Sequence, residues 1–384
     1  MCIRPPVDGH RASAYRRIGL QQTERFVLLD GIRGIAAIAV LMRHTLPWWD
    51  LALFRSYLGV DLFFLLSGFV IGHAYDRRLR DRSIGFAEFV AVRLIRLYPV
   101  FALSLLLAGV ALVAKTVLGG GTDPTVLAAV ALHIALAALF LPVPLPGSVE
   151  LFTVNGPYWS LFFELLVNFA YAAVRPFVGP HGLGIAVAVA GAVAAGSALA
   201  HGHLDLGWTW SAVSLVTGLA RAVFGILLGL LLFRHHDALQ ARVSRIPPSA
   251  AIPLVVLVLA SPSLGALDPL ADLLAVGLLF PLVVVVASRP THVRLAPLML
   301  MLGSASYPIY VLHKPVGEAL HFALGDMVER WAPLSGLLLL AVLLAASVCV
   351  ERVYDIPVRR WLRTRQRRRA AVALDPAAPA RESA

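Results

Sequence analysis

Charged residues are scarce in this chain, at 14% of 384 positions, whereas ordinary soluble domains carry about 25%. A soluble globular protein is thereby excluded as the main architecture. Cysteine is nearly absent, with Cys2 in a polar terminus and Cys349 in an apolar run. Neither a disulfide framework nor a cysteine-based metal site can be built from two such residues. Lysine is almost missing as well: of 33 basic residues only Lys115 and Lys314 are lysines, which leaves 31 arginines and suggests a GC-rich genome. The net charge of +11 raises the question of nucleic acid. The arginines, however, stand in short clusters between or outside apolar runs, which is the positive-inside pattern of a membrane protein. No nucleic-acid partner is expected.

Long apolar runs are abundant. Hydrophobic residues make up 59% of the chain, in runs that recur from residue 27 to residue 352 and are long enough for the roughly 20 residues a bilayer crossing needs. Only helices or closed barrels satisfy their backbone in lipid, and these runs lack the alternation of barrel strands. The expectation is an all-α, polytopic transmembrane bundle with the lipid bilayer as its surroundings. Candidate spans fall at 27–46, 57–74, 97–118, 125–142, 157–173, 183–200, 209–233, 246–262, 268–287, 298–316 and 335–352. The first is not a signal peptide, because it holds Asp30 and Arg33, has no A-x-A site and ends in Pro47-Trp48-Trp49. Basic residues at both ends of the chain (Arg16, Arg17 and Arg25; Arg359, Arg360 and Arg363) favour two cytoplasmic termini at a bacterial inner membrane. That requires an even number of crossings. The clusters at Arg77–Arg96, Arg175, Arg234–Arg245 and Arg289–Arg294 confine the odd segment to 97–174. Either 97–118 or 125–142 is therefore expected to be re-entrant, leaving ten spanning helices and an outward-facing 143–156. The domain reading is a basic segment at 1–24, a membrane domain at 25–362 and a basic, disordered tail at 363–384.

Ionisable side chains within the apolar runs mark sites where they face a cavity or one another. Arg33 and His44 lie eleven residues apart, about 16 Å along a helix and only 20° beyond three turns, so they share a face. A cation near the inner rim and an imidazole deeper in suit an anionic ligand and a proton transfer; a snorkelling arginine and an interfacial histidine fit equally well. Asp61 enters an apolar helix and is expected to pair with an arginine. Arg93 and Arg96, three apart at an inner rim, suit phosphate binding or simple anchoring. Ser160, Glu164 and Asn168 form an i, i+4, i+8 stripe. Arg221 lies mid-span beside Gly225 and Gly229, whose lack of side chains permits close helix packing; Glu164 is one candidate for its partner. Tyr307, Tyr310, His313 and Lys314 share one run. The string His201-Gly202-His203-Leu204-Asp205 has no further ligands beside it, so no metal is expected there.

Five strings, LDGIRGIAAIAVLMRH, GVDLFFLLSGFVIG, RLIRLYP, NGPYWSLFFE and LGSASYPIYVLHKPV, occur in that order. Together they resemble the acyltransferase-3 family of integral-membrane O-acyltransferases, over about residues 24–362. The resemblance implies an acyl-CoA donor, commonly acetyl-CoA, with no bound cofactor, and a carbohydrate-containing acceptor such as an envelope glycan or a glycosylated natural product. Its Arg-x10-His motif falls on Arg33 and His44, with His44 as the expected general base, and its Arg-x-x-Arg motif on Arg93 and Arg96. The family's Val-Asp-x-Phe-Phe…Ser-Gly-Phe segment falls on Asp61 through Phe69, including Ser67, and its Trp-Ser-Leu…Glu segment on Trp159 through Glu164, including Ser160. The family's closing Glu-x-Pro is replaced by Asp355-Ile356-Pro357. The resemblance thus implies a catalytic set of His44, Arg33, Glu164 and Ser160 and a donor site at Arg93, Arg96 and Asp30. Asp61, Ser67, Trp159, Arg221, Tyr307 and His313 would support them.

Other readings predict other features. A glycan transporter or flippase would show inverted repeats, and none are detectable. An intramembrane hydrolase would carry H-E-x-x-H or G-x-S-x-G, and the chain has neither. A silent relative would not need the full set of Arg33, His44, Arg93, Arg96 and Glu164.

Overall fold

A computed structural model describes residues 26–145 and 147–374. The basic segment at 1–24 and residues 375–384 lie outside the described residues. Among those described, the regular structure is helical, and β-pairing is limited to two isolated bridges, Val143 with Phe152 and Glu150 with Thr209. The helices are α1 (Val27–His44), α2 (Phe54–Arg80), α3 (Phe86–Leu118), α4 (Pro124–Ala138), α5 (Tyr158–Val174) and α6 (Pro180–His201). They continue with α7 (Ala212–Arg234), α8 (His236–Arg242), α9 (Ala251–Ala260), α10 (Gly265–Ala287), α11 (Ala296–Leu324), α12 (Leu334–Cys349) and α13 (Ile356–Leu374). Among the described residues six helices are long and apolar enough to cross a bilayer: α2, α3, α6, α7, α10, and α12 with its extension to Gln366. α1, at 18 residues, is interrupted by Asp30, Arg33 and Arg43, and α11 carries Pro308 and Pro315 in its interior. The chain is a multi-pass membrane bundle.

Two close pairings organise it. α7 lies against α2 so tightly that a Cβ on Gly68 would sit 1.9 Å from the Ile226 carbonyl oxygen, and one on Gly229 would sit 2.1 Å from that of Leu65. Only glycine fits such a contact, which is how small residues let membrane helices approach. α1 lies against α11 in the same way, with Gly303 of α11 packed on Asp30.

The arginine clusters gather at one end of the bundle. There Asp76 of α2 accepts from Arg234 of α7 at 2.8 and 3.0 Å, and also from Arg175 and Tyr171 at the end of α5. Phe26, His73 and His236 meet at the same end, and Arg289 donates to the carbonyls of Val243 and Ser244. At the opposite end Arg55, 1% exposed, is held by Asp268 and Asp272, and Tyr57 donates to Asp272 at 2.7 Å.

α4 is the segment that turns back. Its 15 residues span about 22 Å, against about 50 Å for the 33 residues of α3. It starts near the far end of α3 and descends until Phe140 stacks on Phe101 at 3.9 Å and Tyr98 donates to the Ala138 carbonyl. The chain then climbs again. Leu151 donates to Trp208 O and Trp210 to Val149 O, in the loop that joins the far ends of α6 and α7.

Residues 363–374 continue α13, which follows a π turn at Val350–Asp355. Arginine, alanine, glutamine and leucine all favour helix, and no glycine or proline follows Pro357 until Pro376.

Candidate active site

Five helices enclose a cavity of about 190 Å³ whose polar lining is Arg33 of α1, Ser67 of α2, Arg93 and Arg96 of α3, Ser160 and Glu164 of α5, and Ser306, Tyr307 and Tyr310 of α11. The i, i+4 spacing of Ser160 and Glu164 presents both to it. Asn168, the third member of that stripe, lies one turn further on, fully buried and outside the lining; neither its nitrogen nor its oxygen has a partner among the described residues.

Most polar groups at the cavity are tied to a neighbouring helix, and Glu164 to two. Glu164 Oε1 accepts from Ser67 Oγ at 2.6 Å and from Arg93 Nη2 at 2.7 Å. Arg33 donates through Nε to Ser306 Oγ at 2.9 Å and through Nη2 to the Gly303 carbonyl at 2.7 Å. Asp30 lies 3.2 Å from the Arg33 guanidinium and does not line the cavity. Tyr307 donates to the Leu97 carbonyl, and the hydroxyls of Ser160 and Tyr310 share a hydrogen bond of 2.5 Å. Arg96 has neither an ion pair nor a hydrogen bond among the described residues. It is the cavity cation best placed to meet an incoming anion.

Asp61 and Arg221 pair as a structural unit. Arg221 donates to both Asp61 oxygens, at 2.9 and 2.6 Å, with its guanidinium 5.3 Å from the Trp159 ring. The expected arginine for Asp61 is therefore Arg221. Glu164 as a partner for Arg221 is corrected: the glycine-mediated approach of α7 to α2 delivers Arg221 to Asp61, while Arg93 and Ser67 take up Glu164.

His44 and Arg33 do share a helix face, and that face meets α11. Arg33 reaches Ser306, whereas the His44 ring lies 5.0 Å from the ring of His313. His44 is exposed, outside the cavity lining, and at the end of the bundle opposite the arginine clusters. Nδ1 of His44 lies 2.9 Å from the Val40 carbonyl, and Nδ1 of His313 lies 3.0 Å from the Ile309 carbonyl. A carbonyl only accepts, so Nδ1 carries the proton in both rings and Nε2 is a lone pair. Tyr310 links the two regions: it lines the cavity, and its ring lies 6.2 Å from that of His313.

Several residues were not singled out from sequence. Ser306 stood in a string without being named, and Tyr310 was named in that run without a role of its own. The Arg55, Asp268 and Asp272 cluster had a usable signal, since two carboxylates four residues apart in an apolar run seldom lack a buried partner. Asp205, in the outer-loop string, pairs with Arg43. Among the described residues no three His, Cys, Asp or Glu side chains group as metal ligands would.

Fold and site together define a multi-pass membrane protein with an ion-paired, hydroxyl-rich cavity. The family model described as an acyltransferase domain, acyltransferase-3, matches residues 26–351, and the chain belongs to that family. It is a membrane acyltransferase that transfers groups other than aminoacyl groups. It is 42% identical over 160 residues to "Protein 2 in picA locus" of Rhizobium radiobacter, covering 39% of this chain and 82% of that protein. It is 32% identical over 116 residues to the "Exopolysaccharide production protein ExoZ" of Rhizobium meliloti (strain 1021), covering 30% of this chain and 32% of that protein. No solved structure matches the chain.

Proposed function

We propose that this enzyme moves an acyl group, acetyl in the first instance, from cytoplasmic acyl-CoA to a hydroxyl of a cell-surface polysaccharide or its precursor. The observation that carries the reading is the cavity, with Arg33, Arg93 and Arg96 in its wall and Tyr310 leading from it toward His44. On the positive-inside rule the arginine-rich end faces the cytoplasm of a bacterial inner membrane, with both termini there. An anionic donor then enters where the cations stand, and a glycan reaches the exposed imidazole from the other side. The polysaccharide class is supported by the printed name of the ExoZ relative.

In this mechanism Arg96 meets the CoA phosphates first, and Arg33 and Arg93 supply positive potential deeper in. The acceptor oxygen attacks the thioester carbonyl carbon as His44 Nε2 takes the hydroxyl proton. The hydroxyls of Ser160 and Tyr310 donate toward the carbonyl oxygen while it carries negative charge. The C–S bond breaks, the acyl–oxygen bond is complete, and the proton passes to the thiolate to give free CoA.

The test is CoA release by the purified protein in nanodiscs with acetyl-CoA and glycan acceptors, wild type beside His44→Ala. A positioned base typically contributes about 10²–10⁴-fold, so the variant is expected to lose at least that much of kcat while still binding acyl-CoA. An active His44→Ala variant removes the base assignment. No release by folded wild type over a broad acceptor panel removes the donor assignment.

A further inference from the structure

His313 is fully buried, yet its Nε2 has no hydrogen-bond partner among the described residues. A buried polar atom left unpaired is costly and calls for an explanation. What stands beside it is His44, on the adjacent helix, with ring centroids 5.0 Å apart and planes at 44°. Each ring is pinned at Nδ1 by a carbonyl of its own helix, so each keeps its lone pair at Nε2. Two lone pairs cannot hydrogen-bond to each other. One added proton changes that, because an imidazolium N–H donates strongly to a neutral imidazole nitrogen. With an N···N distance of about 2.9 Å and ring radii of about 1.1 Å, two imidazoles joined in this way have centroids about 5 Å apart. The observed centroid separation of 5.0 Å is close to that value.

We infer that His313 is a positioning residue that shares the proton His44 takes from the acceptor hydroxyl. The inference rests on the proposed role of His44 as general base. The proton leaves the hydroxyl for His44 Nε2, is held between that nitrogen and His313 Nε2, and then passes to the thiolate sulfur as the C–S bond breaks. No other co-reactant is needed. The neighbouring charges are already matched. Lys314, next in sequence, lies 3.4 Å from Glu150 and 4.0 Å from Glu318, and Arg43 is paired with Asp205. His313 Nε2 is thus the atom left without a partner among the described residues, and it is sealed from water, so it gains its hydrogen bond only when His44 is charged.

The test compares full-length wild type, His44→Ala, His313→Phe, His313→Gln and the double variant His44→Ala/His313→Phe in nanodiscs. Kcat and the KM for acetyl-CoA are read for each, and a monodisperse elution profile is required of each. His313→Phe is expected to lower kcat about 10–100-fold, within the range of acid–base contributions, with KM changed less than about twofold. His313→Gln keeps an uncharged acceptor and is expected to fall between wild type and His313→Phe. Groups acting as a unit are non-additive, so the double variant is expected to be no slower than His44→Ala alone. Unchanged kcat in His313→Phe, with His44→Ala inactive, overturns the proton sharing and leaves the base assignment standing. Losses that multiply in the double variant, or a rise in KM that matches the fall in kcat, make His313 a packing residue and overturn it too. An active His44→Ala instead removes the reading on which the inference rests. If His313→Phe does not fold, His313→Met removes the same lone pair at smaller volume and carries the same expectations.

Discussion

Arg93 and Arg96 occupy one face of α3 three residues apart, yet different groups hold them. Arg93 is 12% exposed and tied to Glu164; Arg96 lines the same cavity without such a tie. Removing one member of a buried ion pair leaves the other uncompensated, at a cost of about 3–5 kcal/mol. Arg93→Ala is therefore expected to lower the thermal midpoint of the detergent-solubilised protein as well as its activity. Arg96→Ala is expected to leave the midpoint in place and raise the KM for acyl-CoA. A lost hydrogen bond to a charged group, about 1.5–3 kcal/mol, corresponds to roughly 10–100-fold. Donor titrations beside thermal unfolding check both, and equal behaviour of the two variants would refute the distinction. The Arg-x-x-Arg spacing was legible in the sequence; the division of labour was not, because it depends on Glu164 arriving from α5.

At the scale of elements, α4 decides the topology. The arginine clusters confined the odd crossing to one interval but could not choose between 97–118 and 125–142, since both runs are largely apolar and no arginine separates them. Length and packing separate them: α3 is long enough to cross, and α4 ends against Tyr98 and Phe101 on α3. The expected consequence is that the chain before α4 and the chain after its return, at Gly120 and Ser148, lie on one side of the membrane. In a Cys349→Ser background that also lacks Cys2, single cysteines at Gly120 and Ser148 should react with an impermeant maleimide added outside intact cells. A cysteine at Arg82 should not. Labelling of Gly120→Cys and Ser148→Cys from opposite sides would make α4 a full crossing.

Across the whole molecule, buried charge is used at both ends to join helices that lie far apart in sequence. Asp76 ties α2 to α5 and α7 at the arginine-rich end, as Arg55 ties α2 to α10 at the other. Asp76→Ala strands two arginines, of which Arg175 is 6% exposed, and is expected to cost about 3–5 kcal/mol. Asp81 pairs with Arg77 and Arg80 at the surface, where solvent screening leaves little net stabilisation. Asp81→Ala should therefore leave the thermal midpoint unchanged while Asp76→Ala lowers it, measured by elution profile after heating. A midpoint unaffected by Asp76→Ala would show that apolar packing and the glycine contacts alone hold this end together.

The class of fold, the membrane setting, the family and the shared face of Arg33 and His44 were all determined by the sequence alone. The physical reason is that apolar length, charge clusters and helical period are local properties of a chain. The pairing of Arg221 with Asp61, the Glu164 link to Arg93, the Tyr310 connection and the His44–His313 pair came only with tertiary structure. The Arg221–Asp61, Glu164–Arg93 and His44–His313 pairs join residues scores or hundreds of positions apart, and the approach of α2 to α7 and of α1 to α11 through glycine sets the first and the last of them. The same distinction explains the tail, where local helix propensity carried α13 past the point at which composition alone suggested disorder.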